Sequence, residues 1–302
     1  MVHGVLPVFQ TPFHDDESID FDTLEREIDW LFQHGADGIV MAMVSETLRL
    51  SSEEREALAA AACRLANGRG AVVISVGAES GHTAVRYARQ AEAAGATAAM
   101  AIPPISVSLS DDELLRYYER IIRATKLPVI VQDASGYVGR PMSIALQARL
   151  LAEFGERVMY KPEAHPIGPR LTALREATSG RARIFEGSGG IALVESHARG
   201  IAGTMPGAEL IEAQVALWRA LERGDRATVE RIYPPLCALV ALQTSLDAFL
   251  AVEKHLLVVQ GVFRNAIVRG PVGYALDEHT RRQVDAWYQR VCEAVSASRD
   301  AP

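Results

Sequence analysis

Residues 71–102 read AVVISVGAESGHTAVRYARQAEAAGATAAMAI and contain one complete strand–helix–strand unit. Its two ends, 71–76 and 96–102, are short apolar runs of the kind that forms strands covered on both faces. The stretch between them is long enough for a helix, and a helical crossover is the usual connection between parallel strands. This unit therefore predicts a parallel sheet covered by helices.

The same alternation runs from the N-terminus through residue 224. Candidate strands, separated by helical segments, lie at residues 5–10, 38–43, 71–76, 96–102, 128–132, 157–161, 182–186 and 200–204. Eight such units with right-handed crossovers close as a (β/α)8 barrel or form a doubly wound open sheet. No glycine-rich dinucleotide motif follows the first strand, where Gln10-Thr11-Pro12-Phe13 stands instead. We therefore predict the α/β fold of a (β/α)8 TIM barrel.

Helix signals support this organisation and change after residue 224. Ser51 and Ser110 each precede a Glu by three positions, which predicts a capping box at the start of two helices. Beyond residue 224 only helical segments appear, at 225–242, 246–259 and 277–295. We predict a barrel over 1–224 and a helical C-terminal extension over 225–302 that packs on it.

Composition restricts the function classes. The 302 residues are 49% apolar and carry a formal net charge of −7, without the basic face that nucleic-acid binding needs. Three cysteines without CxxC spacing and eight histidines without an HxxxH or HExxH pattern indicate neither a disulfide framework nor a metal site. No signal-peptide pattern and no run of about 20 apolar residues is visible. We expect a cytoplasmic protein that requires no metal or cofactor and binds neither nucleic acid nor membrane.

Lysine is rare in this chain, with only Lys126, Lys161 and Lys254. Lys161 ends the sixth predicted strand, and barrel enzymes take their catalytic groups from the C-terminal ends of strands. An amine removed from water can become neutral and attack a carbonyl to form a Schiff base, which arginine cannot do. The alternative interpretation is a surface lysine or a salt-bridge partner.

Glu163 lies two residues beyond Lys161. Residues two apart on a strand point the same way, so both side chains face inward if the strand persists through Pro162. An amine and a carboxylate in one pocket are the minimum set for imine formation followed by proton abstraction beside the imine. A buried structural ion pair is the alternative.

Five short motifs are distributed along the chain. They are Gly4-Val5-Leu6-Pro7, Gln10-Thr11-Pro12-Phe13, Gly35-Ala36-Asp37-Gly38, Ser45-Glu46 and Tyr160-Lys161-Pro162-Glu163-Ala164. Together they resemble the dihydrodipicolinate synthase / N-acetylneuraminate lyase family. The resemblance implies a (β/α)8 enzyme in which the strand-six lysine, here Lys161, forms a Schiff base with a small 2-oxo acid. It also implies a homo-oligomer, a dimer or tetramer.

The chain departs from the family pattern at several positions. Both threonines after strand two are absent from Ala42-Met43-Val44-Ser45-Glu46, which leaves backbone amides and Ser45 to bind a substrate carboxylate. Strand five ends in Gln132-Asp133 rather than Tyr-Asn, and the arginine that contacts the aldehyde substrate falls at Tyr137. A true dihydrodipicolinate synthase or sialic acid lyase is therefore not expected.

A smaller branch, the 2-keto-3-deoxyarabonate dehydratases, resembles this chain in Ser45-Glu46, Val131-Gln132-Asp133-Ala134, the Lys161 and Glu163 pair, and Glu186-Gly187. The resemblance implies dehydration of a 2-keto-3-deoxy sugar acid, with Glu163 as the base. Tyr137 is a third catalytic candidate, or alternatively an aromatic pocket wall. Gly187 and Ser188 open a glycine-rich turn that either binds substrate or only tightens the loop. The substrate-binding candidates are Ser45, Glu46, Gln132, Asp133, Glu186, Gly187 and Ser188.

Three functions stay open at this point. The first is a dehydratase, the second a class I aldolase that releases pyruvate from a 4-hydroxy-2-oxo acid, and the third a non-catalytic 2-oxo-acid binding protein. Retro-aldol cleavage needs a base for the C4 hydroxyl, usually the tyrosine that Gln132 replaces, and this replacement favours dehydration.

Overall fold

Eight parallel strands form the centre of the computed structural model, which describes residues 2–299. The strands are β1 (Gly4–Val5), β2 (Gly38–Met41), β3 (Ala71–Ser75), β4 (Ala98–Ala101), β5 (Val129–Asp133), β6 (Val158–Pro162), β7 (Phe185–Glu186) and β8 (Gly203–Thr204). Each lies within one residue of a predicted run. Short 3₁₀ helices occur at Met43–Ser45 and Gly155–Arg157.

A helix follows every strand. The first eight are α1 (Phe21–Gln33), α2 (Ser52–Ala66), α3 (Gly81–Ala93), α4 (Asp111–Ala124), α5 (Ile144–Phe154), α6 (Ile167–Ala177), α7 (Leu193–Ala198) and α8 (Ile211–Arg223). The capping box predicted at Ser51 is formed with Glu54 at the start of α2. At α4 only its first half is present, because Ser110 accepts from the Glu113 amide while the Glu113 carboxylate pairs with Arg116.

The sheet closes on itself. Strands pair in the orders β2-β3-β4-β5-β6 and β1-β8-β7, all in parallel. Bridges between Val8 and Val40 and between Tyr160 and Ile184 join the two groups into one ring. The predicted (β/α)8 barrel is therefore confirmed, and the open doubly wound sheet is excluded.

Alternate side chains point into the barrel and toward the helices. On β6, Met159 belongs to the core inside the barrel, whereas Tyr160 packs in the core between strands and helices. On β5, Ile130 lies inside and Val131 outside. Burial of both faces explains why the strand segments are apolar throughout. The same alternation directs Lys161 and Gln132 inward.

Three further helices follow α8: α9 (Arg226–Val240), α10 (Leu246–Val259) and α11 (Glu278–Arg299). They match the predicted helical segments, and no strand occurs among residues 226–299. The division into 1–224 and 225–302 stays a prediction, and residues 1 and 300–302 lie outside the described part of the chain. None of the helices within residues 2–299 has the length and apolar character needed to cross a bilayer.

Candidate active site

Lys161 lies at the C-terminal end of β6 with its side chain inside the barrel and buried. Its strand register pairs it with Gln132 of β5. The surface-lysine interpretation therefore fails for Lys161, whereas Lys126 is exposed before β5.

Glu163 shares this inward position. The strand persists through Pro162, and the Glu163 amide still donates to the Asp133 carbonyl at 2.9 Å. Lys161 Nζ lies 3.3 Å from Glu163 Oε1, and Gln132 Nε2 donates to Glu163 Oε2 at 2.7 Å. The structure therefore brings Lys161, Glu163 and Gln132 together.

The carboxyl group of Glu163 is fully withdrawn from water. Burial raises the pKa of Glu163 above its usual range, and the nearby Lys161 ammonium and the Gln132 amide oppose that shift. A carboxylate with a raised pKa accepts a proton more readily than an exposed one. The pair can therefore exchange a proton between Nζ and Oε1.

Gly187 follows β7 and lies against this pair. A Cβ atom at Gly187 would lie 2.3 Å from Lys161 Cε and 2.6 Å from Glu163 Oε1. Only glycine leaves room for both side chains, so this loop position has a steric requirement beyond a tight turn.

Replacement of Gly187 by Ala is expected to displace the Lys161 side chain and reduce kcat/KM by about 10²-fold, because small misplacement of a reacting group has effects of this size. Steady-state kinetics measure the loss, and thermal unfolding monitors the fold. Gly270→Ala is the matched control, since a Cβ there meets open space. Unchanged kinetics in Gly187→Ala would contradict the steric role.

Tyr137 lies in the loop after β5 and lines the same cavity. Its hydroxyl donates to the Gly187 carbonyl at 3.4 Å, and its ring packs edge-to-face on Phe249 of α10 with centroids 5.6 Å apart. Burial and the neighbouring carboxyl groups, Glu163 first among them, raise the pKa of Tyr137 well above its ordinary value. The phenol is therefore a neutral group in the wall.

The cavity lies at the C-terminal end of the barrel, and its volume of about 400 Å³ includes solvent space at its open mouth. Strand ends, the loops that follow them and α10 all contribute to its wall. The lining residues are Val8, Ala42, Met43, Val44, Gln132, Tyr137, Lys161, Glu163, Gly187, Gly189, Met205, Pro206, Gly207, Leu246, Phe249 and Glu253.

Ser45 and Glu46 are not brought into the cavity wall. The Ser45 hydroxyl donates to the Phe9 carbonyl at 2.5 Å and accepts from the Ala42 amide at 3.1 Å. The buried Glu46 carboxylate pairs with Lys254 of α10 and accepts from the Arg269 amide at 3.0 Å. The Glu46 contacts tie the loop after β2 to α10 and to the segment that follows it.

Removal of one partner from the buried Glu46–Lys254 pair is expected to destabilise the fold. Glu46→Gln leaves the Lys254 ammonium without its anion, so the free energy of unfolding should fall by about 3–5 kcal/mol. Urea denaturation measures the change. Glu56→Gln, which breaks the exposed pair with Arg86, is the control and should have a much smaller effect. Equal losses would contradict this account.

Asp133, Glu186 and Ser188 also have their side chains engaged outside the cavity wall. Asp133 accepts from the Ser135 hydroxyl at 2.6 Å and the Met142 amide at 3.0 Å. Glu186 accepts from the Ser188 hydroxyl and from Thr204 Oγ1, the latter at 2.8 Å. These contacts shape the loops after β5 and β7.

Within residues 2–299, no group of three or more His, Cys, Asp or Glu side chains is placed to hold a metal ion.

A family model described as the dihydrodipicolinate synthetase family matches residues 1–290. The chain belongs to this family. The dihydrodipicolinate synthetase family consists of lyases and aldolases, so the chain falls in that class of enzyme. The family predicted from the motifs is confirmed.

Individual relatives agree with this assignment. The sequence is 27% identical to the probable 2-dehydro-3-deoxy-D-pentonate aldolase YjhH of Escherichia coli K12 over 256 residues, 83% of this chain and 85% of the relative. The fold is similar to dihydrodipicolinate synthase from Rhodopseudomonas palustris, with a TM-score of 0.87, 25% identity, and coverage of 96% and 97%. It is also similar to YagE of E. coli K12 in complex with pyruvate, with a TM-score of 0.88, 24% identity, and coverage of 97% and 99%.

Sequence reasoning missed several wall residues of this dihydrodipicolinate synthetase family member. Leu246, Phe249 and Glu253 reach the cavity from α10, far along the chain from the strand ends. One signal was available, because Glu253 and Lys254 interrupt the apolar helix Leu246–Val259, and buried charges need partners.

Proposed function

We propose that this chain is a Schiff-base-forming hydro-lyase that removes water from a 2-keto-3-deoxy sugar acid, such as 2-keto-3-deoxyarabonate. The observation that carries the proposal is the 3.3 Å contact between Lys161 Nζ and Glu163 Oε1 in the wall of the barrel cavity. A lysine whose proton passes to an adjacent carboxylate becomes a nucleophile for a ketone.

In the proposed first stage, Glu163 takes a proton from the Lys161 ammonium, and the neutral amine forms a bond to C2 of the substrate. The resulting carbinolamine loses its C2 hydroxyl as water, with the proton returned by Glu163. The products of this stage are a protonated imine on Lys161 and a Glu163 carboxylate.

In the second stage, the protonated imine acidifies C3, and the Glu163 carboxylate removes a C3 proton to form an enamine. The electrons of the enamine then form the C3–C4 double bond as the C4 hydroxyl leaves with a proton from an acid. Gln132 Nε2 holds Glu163 Oε2 and so directs Oε1 toward Lys161.

Backbone amides are suited to bind the substrate carboxylate. Met43 and Val44 line the cavity and are the first two residues of a 3₁₀ helix, where the backbone amides have no acceptor within the helix. Two adjacent donors of this kind can each give a hydrogen bond to a carboxylate oxygen. This arrangement supports a substrate with a carboxylate beside the ketone.

A retro-aldolase that releases pyruvate is the second candidate. The similarity to the probable pentonate aldolase YjhH favours it, since such an enzyme would use Lys161 in the same way. Against it, the phenol of Tyr137 has a raised pKa and donates to a backbone carbonyl, so it is a poor base for the C4 hydroxyl.

Product analysis with both enantiomers of 2-keto-3-deoxypentonate, whose single stereocentre is C4, tests the proposal. Dehydration gives 2-oxoglutarate semialdehyde, whereas retro-aldol cleavage gives pyruvate and glycolaldehyde, and NMR separates these products. Semialdehyde is the expected result. Pyruvate would replace the dehydratase proposal by the aldolase, and the absence of both products would contradict either enzyme with this substrate class.

A further inference from the structure

Three glutamates are buried together beside the cavity. Glu27 of α1, Glu209 in the loop before α8 and Glu253 of α10 are all buried, with no more than 3% of each exposed. A Cβ atom at Gly207 would lie 2.3 Å from Glu209 Oε2 and 2.4 Å from Glu253 Oε1, so two of the carboxyl groups approach the same backbone point.

Glu253 is the member of this group that lines the cavity. Its Oε2 accepts from the side-chain Nε2 of Gln10. The backbone amide of Gln10 donates to Glu27 Oε1 at 2.8 Å, so Gln10 links two of the three glutamates. Glu253 Oε1 has no hydrogen-bond partner within residues 2–299 and lies against Gly207, another residue of the cavity wall. This oxygen is therefore free to contact a substrate.

Burial and two neighbouring glutamates favour the neutral form of Glu253, and two lysines oppose it. Glu27 and Glu209 face it from α1 and the loop before α8, Lys161 faces it from β6, and Lys254 on its own helix pairs with Glu46 instead. Burial, followed by repulsion from Glu209 and Glu27, raises the pKa of Glu253 well above its ordinary value. The pKa of Glu209 itself is raised to about 7 by burial.

We propose that Glu253 is the general acid that protonates the C4 hydroxyl as it leaves. This assignment rests on the proposed dehydratase function. It gives the two proton transfers to two carboxyl groups in one cavity, with Glu163 from β6 as the base and Glu253 from α10 as the acid. Such a division needs one ionised and one neutral carboxyl group.

The step is balanced in atoms and charge. The enamine electrons form the C3–C4 double bond, the C4–O bond breaks, and the hydroxyl takes the Glu253 proton to leave as water. The ionised Glu253 then removes a proton from C5, and Glu163 returns its proton to C3. Both acids are restored, and the imine now carries a C4–C5 enol that becomes the semialdehyde after hydrolysis and tautomerisation.

The protonated form of Glu253 also bears on the choice of reaction. A carboxylic acid can donate a proton to a leaving hydroxyl, but it cannot take the proton from the C4 hydroxyl that retro-aldol cleavage requires. Glu253 in this state therefore assists dehydration and not cleavage of the C3–C4 bond.

The test uses Glu253→Gln, which keeps the shape of the neutral acid and lacks its proton. Turnover of 2-keto-3-deoxypentonate is expected to fall by about 10²- to 10⁴-fold, the usual contribution of a general acid. The 4-fluoro analogue loses fluoride without needing a proton, so the rate of fluoride release in a single turnover by Glu253→Gln should stay near the wild-type rate. Fluoride release and semialdehyde formation are measured on the same preparations.

Two comparisons make the result decisive. Glu163→Gln should lose activity on both substrates, since C3 deprotonation precedes either departure. Glu209→Gln removes a like charge and lowers the pKa of Glu253, so the alkaline limb of the pH profile should move to lower pH, because the acid form is lost earlier as pH rises.

Borohydride trapping with pyruvate separates failure of this assignment from failure of the proposed function. If Glu253→Gln forms a Lys161 adduct and also dehydrates the hydroxy substrate at the wild-type rate, the role of Glu253 is overturned and the proposed function is not. Equal losses of hydroxy-substrate turnover and of fluoride release would also overturn it, since the departure of fluoride needs no general acid. If the wild type turns over neither enantiomer of 2-keto-3-deoxypentonate, both the role of Glu253 and the proposed function are overturned.

Discussion

Lys161→Met is expected to abolish turnover, by about 10⁵-fold or more, because the covalent nucleophile is lost while a side chain of similar length still fills the site. Lys161→Arg should be equally inactive. It keeps the positive charge beside Glu163, but a guanidinium does not deprotonate and cannot form an imine. Steady-state kinetics with 2-keto-3-deoxypentonate measure the loss.

The control for this experiment is Lys126→Met, which removes an exposed amine before β5 and should leave kinetics unchanged. Circular dichroism and thermal unfolding check that the barrel is intact in each variant. Substantial turnover by Lys161→Arg would contradict covalent catalysis and leave Lys161 only an electrostatic role.

Glu163→Gln is expected to separate imine formation from the proton transfer that follows. The amide is nearly the same size and can still accept from Gln132 Nε2, so Lys161 should still form an adduct that borohydride traps. The adduct should form more slowly than in the wild type, because Glu163 also takes the proton of the Lys161 ammonium. Loss of the base should reduce turnover by about 10²- to 10⁴-fold. NMR in D₂O gives a direct measurement, because the wild type should exchange the methyl protons of pyruvate through the enamine and Glu163→Gln should not.

The pH dependence provides a second measurement on the same variant. Burial raises the pKa of Glu163, and only its carboxylate can accept the C3 proton. Wild-type turnover should therefore decline as pH falls through this raised pKa, above the usual carboxyl range. Residual turnover of Glu163→Gln should lack this acid limb. Normal proton exchange by Glu163→Gln would contradict its role as the base.

The barrel was predictable because its signal is local and repeated. Strands covered on both faces are short apolar runs, and every predicted run overlaps a strand, although β1, β7 and β8 are only two residues long. The side-chain contacts at a helix start are harder to predict, since the Glu113 carboxylate pairs with Arg116 rather than completing the capping box. An exposed carboxylate has several partners within reach.

The central pair was predictable for the same reason. Alternation along β6 places Lys161 and Glu163 on the inner face, and it requires no knowledge of distant residues. Gln132 was named from the family resemblance, but its contact with Glu163 depends on the register between β5 and β6. A sequence without pairing information does not contain that register.

Side-chain direction in the loops was not predictable. Ser45 and Glu46 directly follow wall residues, yet one bonds to the Phe9 carbonyl and the other pairs with Lys254. Glu253 shows the opposite case, because it was not predicted as a site residue and yet lines the cavity. Its hydrogen-bond partner Gln10 is 243 positions away in the chain. Long-range packing of α10 on the barrel mouth decides both outcomes, and helical periodicity does not encode it.

The most direct test of the central claim is reduction of the wild-type protein with borohydride in the presence of pyruvate, followed by peptide mass spectrometry. We predict one reduced pyruvate per chain, attached to Lys161, with the buried Lys254 and the exposed Lys126 in the same digest unmodified. Absence of any adduct, or an adduct on Lys126 or Lys254 instead, would contradict the assignment of Lys161 as the Schiff-base nucleophile.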